Sequence, residues 1–132
     1  MENKEYYFDN DLGSTVAEYK GFMNLDEFKK ISNGAQIIRK TKKGSSLVIK
    51  VEDLKVLSKD IQSWINESFM PDRIKEGTLT SMIFIVPRSA IATLSMKSVN
   101  SKIEGVKMHY VGSMHSAKAL VRTDRIINKT RS

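Results

Sequence analysis

The chain has 132 residues, 40% of them hydrophobic and 28% charged, with a net charge of +7 and no cysteine. That length suits one domain with a real core, and the balance is that of a folded rather than a disordered chain. Without thiols there are no disulfides, thiolate nucleophiles or cysteine-based zinc sites, and no apolar run approaches the length of a membrane span.

The first residues, "MENKEYYFDND", are polar and acidic, unlike a signal peptide or a targeting helix, and with the absent cysteines they fit a cytoplasmic protein. The charge is uneven. Residues 1–26 hold two lysines against six acidic residues, and the remainder holds twenty basic against nine acidic residues. Such a field attracts polyanions or acidic proteins. No basic cluster is interleaved with aromatics, however, so nucleic acid is not an expected partner.

In chain order, residues 5–9 read as a short strand, "NDLG" as a turn with Gly13, and 14–22 as the hairpin partner. Asn24 opens the first helix, with Glu27 completing a capping box and Met23 and Phe28 placed for a hydrophobic staple. Phe28, Ile31, Ala35 and Ile38 recur at helical spacing, and "RKTKKGSS" ends the helix with Gly44 as its stop. Residues 46–52 form a buried strand, and 53–60 a loop. A second helix runs from about 58 to 77 with Ile61, Trp64, Ile65 and Phe69 as its apolar stripe, and Pro71 either breaks it or opens a second short helix. "SMIFIVP" (81–87) is the central strand, 89–104 a third helix, "VKMHYVG" (106–112) the last strand, and a fourth helix begins near Ser113. The basic stretch 123–132 is set apart as a frayed tail beyond a single domain at 1–122.

This order predicts an α/β fold: a mixed, mainly parallel five-stranded sheet with an N-terminal antiparallel hairpin strand and about four helices. Polar residues interrupt one face of two strands: Lys50 in 47–51, Lys107 and His109 in 106–111. Helices are therefore expected mainly on one face, with the other partly open to a partner molecule.

The hairpin followed by "GFMNLDEFKK", the segment "DLKVLSKDIQSWINESFMPDRIKEG", the apolar strand ending in Pro87 and the closing "HYVGSMHSAKALV" give a pattern that resembles the bacterial STAS-like proteins. These are related in fold to anti-sigma-factor antagonists and, more distantly, to lipid-binding CRAL-TRIO domains. The resemblance covers about residues 5–122. It implies a cytoplasmic, non-enzymatic module built as a β-α superhelix, acting by protein contact and as a homodimer. In anti-sigma-factor antagonists a serine between a central strand and the next helix is phosphorylated. The matching loop here has Ser58 as its only hydroxyl, with Lys55 and Lys59 close in sequence. Ser58 is thus a candidate phospho-acceptor, or simply a helix cap.

A second reading starts from the carboxyl ends of parallel strands, where open sheets bind ligands. Arg88 with Ser89, together with Lys55 and Ser113, would hold an anionic or lipid-like ligand there, over an apolar lining from Ile61, Trp64, Ile65 and Ile91. His109 and His115, the only histidines, lack a zinc spacing, so no metal is expected. There is no nucleophile elbow, P-loop or dinucleotide fingerprint, so neither a cofactor nor an enzymatic activity is expected.

Overall fold

The structure, a computed structural model, describes residues 5–87 and 105–131. Five strands form one sheet in sequential order: β1 (Tyr6–Asp9), β2 (Ser14–Phe22), β3 (Ser46–Val56), β4 (Ser81–Ile85) and β5 (Lys107–Val111). β1 pairs antiparallel with β2, and every other pairing is parallel. The α/β class with a mixed, mainly parallel sheet and a hairpin edge is as expected. The third expected helix, 89–104, lies outside the described residues.

Three helical elements precede β4: α1 (Leu25–Thr41), then α2 (Lys59–Trp64) and α3 (Met70–Glu76), joined by a π turn at Ile65–Phe69. Sequential parallel strands with right-handed crossovers place successive helices on the same face. That face carries Ala17, Tyr19, Leu47, Ile49 and Met82, packed on Phe28, Ile31 and Ala35 of α1 and on Ile61, Phe69 and Met70. The start of α1 is set locally: the Asn24 side chain accepts from Glu27 N at 2.9 Å, and the Glu27 carboxylate accepts from Asn24 N at 3.2 Å. At its end Lys43 (φ 55°), not Gly44, takes the left-handed turn. Gly34 is needed for contact: a Cβ there would run into the ring of Tyr6, which β1 lays across α1.

The last described helix, α4 (Met114–Arg131), lies on the opposite face, the only one there among the described residues. Its Ala117 and Val121 meet Val16, Val48, Ile83, Ile85 and, from the hairpin turn, Leu12. The expectation of a frayed tail from residue 123 is corrected here. Asp124 accepts from Ser45 Oγ at 2.6 Å and Thr80 Oγ1 at 3.0 Å, and Arg125 Nη2 donates to Gly13 O at 2.8 Å. Polar anchors hold the helix to the sheet where its sequence turns basic. Gly13 itself sits at φ 76°, beneath the Arg125 guanidinium.

Beyond α4 the second face is polar. Tyr7 Oη donates to Glu18 at 2.8 Å, and Lys50 lies 3.6 Å from Glu18 and 3.9 Å from Glu52. His109, half-buried on this face, has its imidazole pushed below the ordinary value chiefly by burial. Lys107 adds to that effect and Asp124 opposes it. The unfolded chain therefore takes up this proton first, so stability should fall as pH drops from about 7 through the folded value, and be insensitive to His109 above it. Urea midpoints against pH should show a flatter slope for His109→Gln between about pH 7 and 5; parallel profiles for the two proteins would remove His109 from the pH response.

Candidate apolar ligand cavity

A cavity of about 340 Å³ opens between the sheet and the helices of the first face, within the roughly 300–1,000 Å³ of small-molecule sites. Its floor is Leu47, Ile49, Met82, Phe84, Met108 and Tyr110, contributed by β3, β4 and β5. One wall is Phe28 and Ser32 of α1 with Tyr19 of β2; the other is Ile65, Asn66, Phe69 and Met70. Val51, Leu54, Leu57 and Val86 form the rim at the carboxyl ends of the strands. Among the described residues no charged side chain lines it.

The second wall owes its shape to the π turn. Pro71 has no N–H, and its ring would collide with the carbonyl four residues back, at Glu67, if the helix were regular. The turn widens instead, and Met70 N–H bonds to Ile65 O, five residues back. Pro71 stands in the first turn of α3, a second short helix that follows directly on the π turn. Such single-turn insertions recur at functional sites, and Ile65, Asn66 and Phe69 of this turn all reach the cavity.

Aromatic rings stiffen the site. Tyr19 and Phe28 stack at 4.4 Å, Phe84 and Tyr110 at 5.1 Å, and Trp64 braces Phe69 at 5.5 Å and Phe28 at 6.1 Å. Offset and edge contacts of this kind hold ring positions beyond what burial alone does. The deepest polar group is a pair of buried hydroxyls, Tyr19 Oη and Ser32 Oγ, 2.7 Å apart. Burial pushes the Tyr19 phenol up to about 12, against the opposing Ser32 hydrogen bond, so it stays neutral. Burial likewise raises Tyr110.

The residues singled out from the sequence do not converge on this site. Ser58 occupies the N-cap position of α2, but it makes no side-chain cap bond; its hydroxyl donates to Asp60, whose Oδ1 also accepts from Ile61 N at 2.9 Å. That hydrogen bond, before any other cause, holds the Asp60 carboxyl below its ordinary value. An added phosphate on Ser58 would meet this carboxylate. Ser58→Ala should change stability by no more than about 0.5 kcal/mol, measured by urea unfolding; a cost above about 1.5 kcal/mol would mean that the hydroxyl holds the helix start after all.

Lys55 is exposed and belongs to β3, which continues to Val56 instead of yielding to a loop at 53. The extension is irregular, with register shifts against β2 between Glu18 and Lys20 and between Gly21 and Phe22. Ser113 Oγ accepts from Ser116 N at 3.2 Å, a capping contact at the start of α4. Arg88, Ser89 and Ile91 lie outside the described residues. Of the expected lining, Ile65 reaches the cavity, whereas Ile61 is buried in the core behind it and Trp64 braces the wall from outside. Sequence reading missed Tyr19, Ser32 and Asn66. The spacing gave no warning, since Ile61, Trp64, Ile65 and Phe69 fit one helical stripe; the available signal was the proline that follows them.

Among the described residues no cluster of His, Asp and Glu is arranged to hold a metal ion, and no helix is long and apolar enough to cross a membrane. Compared with protein-family models, with curated proteins and with solved structures, the chain matches none.

Proposed function

We propose that this chain is a non-enzymatic binding module of the STAS-like kind, acting in the cytoplasm, that holds a small uncharged molecule in the cavity between α1, the π turn and the sheet. The observation that carries this is the lining: aliphatic and aromatic side chains with a few neutral polar groups and, among the described residues, no charge. Sites of this make-up bind apolar molecules and use a few polar groups to orient them. An anionic head group buried there would find no counter-ion among the described residues, and a buried unpaired charge is costly. The occupant is thus taken to be neutral, unlike the anion read from the strand ends. The sequential sheet order supports the STAS-like relation.

The test is mass spectrometry on protein purified from its own host, run native and then denatured, with uptake of N-phenyl-1-naphthylamine, a neutral fluorescent probe, by the emptied protein. A neutral mass that leaves on denaturation, or saturable uptake of about one probe per chain, supports the proposal. A clean chain that takes up no probe overturns it.

A second reading, a protein-contact module working as a homodimer, is favoured by one observation. Phe22, Val56 and Leu57 are 79%, 50% and 40% exposed at the joint tip of β2 and β3. The charges around them balance, with Lys20, Lys55 and Lys59 against Glu52, Asp53 and Asp60, which suits a second copy of the chain better than a polyanion. Sedimentation should then show a dimer that Phe22→Ser dissociates; a monomer at all concentrations would dispose of this reading.

A further inference from the structure

We propose that the Tyr19–Ser32 hydroxyl pair donates a hydrogen bond into the cavity, so that the molecule bound there is an uncharged, ring-bearing compound with a carbonyl oxygen. This rests on the cavity being a ligand site and adds what the ligand must carry.

The reasoning is a count of protons. A tyrosine and a serine hydroxyl each bring one O–H. The two oxygens, 2.7 Å apart, share one of these protons, whichever is the donor. Neither hydroxyl makes another hydrogen bond among the described residues, so one O–H is left over at a buried position. Serine inside a helix ordinarily disposes of its proton on the carbonyl four residues back. Two threonines of this chain do that: Thr41 Oγ1 donates to Ile37 O at 2.8 Å, and Thr123 Oγ1 to Ala119 O at 3.0 Å. Ser32 turns to Tyr19 instead. Buried donors are rarely left unused, and this pair borders the cavity.

The remaining chemistry narrows the partner. The phenol does not ionise in the physiological range, so the pair offers a proton and no charge, which selects an acceptor atom. Among the described residues no charged side chain lines the cavity, so a carboxylate or phosphate would find no counter-ion among them. The stacked pairs Tyr19–Phe28 and Phe84–Tyr110 present ring faces suited to a flat molecule. Met70, Met82 and Met108 adapt to its outline.

Three probes of nearly one shape test this: 2-acetylnaphthalene, 2-isopropylnaphthalene and 2-naphthoate, titrated by the fluorescence of Trp64, the single tryptophan. The ketone should bind about tenfold more tightly than the hydrocarbon, as one neutral hydrogen bond at a buried site provides, and the carboxylate should bind weakest. Tyr19→Phe and Ser32→Ala each leave one hydroxyl and should keep the preference. The double variant removes both and should bind ketone and hydrocarbon alike. The infrared carbonyl band of bound 2-acetylnaphthalene, read on the unaltered protein, should lie below its position in hydrocarbon solvent, which keeps the proposal testable should the double variant fail to fold. Equal affinity for ketone and hydrocarbon, or an unshifted band, would mean that the spare proton serves water alone and would overturn the inference while leaving the cavity as a binding site. Failure of all three probes to bind would overturn the ligand site itself.

Discussion

Arg39→Ala is expected to destabilise the protein by about 3–5 kcal/mol, the range for removing one partner of a buried ion pair. The Arg39 side chain is 0% exposed, the only charged side chain buried among the described residues. Its guanidinium makes four hydrogen bonds. Nη2 meets Glu76 at 2.8 Å, Nη1 donates to Gly44 O at 2.7 Å and to Thr78 Oγ1 at 3.2 Å, and Nε donates to Gln36 Oε1 at 3.0 Å. One side chain thus ties the end of α1 and the turn after it to the end of α3. Alanine would leave a void, the Gly44 carbonyl and Gln36 amide without their partner, and Glu76 facing nothing. Because Glu76 keeps some contact with water, Glu76→Gln should cost less, about 1–3 kcal/mol.

The same cluster predicts acid sensitivity. The Glu76 carboxyl is held below its ordinary value of 4.5, first by the Thr78 hydroxyl and then by Arg39. The unfolded chain binds that proton first, so the contribution is complete above about pH 4.5 and is lost as pH falls through the folded value. Urea unfolding at pH 7 and 4 checks both statements; an Arg39→Ala loss below about 1 kcal/mol would show that the cluster merely fills space.

Deleting Asn66 while replacing Pro71 by alanine is expected to preserve the fold yet weaken probe binding at least about tenfold, or about 1.4 kcal/mol. A π turn is an α-helix with one residue in excess, and Pro71 removes the penalty for that excess by vacating a hydrogen bond. Deletion with Pro71→Ala lets residues 59–76 close into one regular helix, drawing the cavity wall inward and removing the Asn66 amide from it. Pro71→Ala alone keeps the extra residue and should keep the wide turn and the affinity. N-phenyl-1-naphthylamine titration separates the cases, with circular dichroism confirming the helix. Unchanged affinity after deletion would mean that the turn is only a way to pass a proline.

The two proposals differ in how far sequence could reach them. The succession of strands and helices, the capped start of α1 and the hairpin were legible because each follows from local rules: a hydrophobic period of two or 3.6, an Asn-x-x-Glu box, a glycine in a turn. Arg39 was invisible, since a basic residue in the last turn of a helix normally faces solvent, and its partners Glu76 and Thr78 are far along the chain. Ser32 was hidden for a related reason. A serine on an amphipathic helix reads as the polar side until the facing strand supplies Tyr19. The strand extension to Val56 was lost because its two register shifts break the alternation that marks a strand. The tail was misread because polar anchors such as Asp124 leave no hydrophobic period.

The position of α4 has a consequence for the protein as it is made. Translation proceeds from the N-terminus, and domains tend to fold as they emerge. Every described element of the first face except β5 is complete by residue 85, but the helix that covers Val48 and Ile83 is the last part of the chain described. Until residues 114–121 have emerged, Val48 and Ile83 lack the cover that Ala117 and Val121 later give them, and the nascent sheet presents these apolar groups to chaperones.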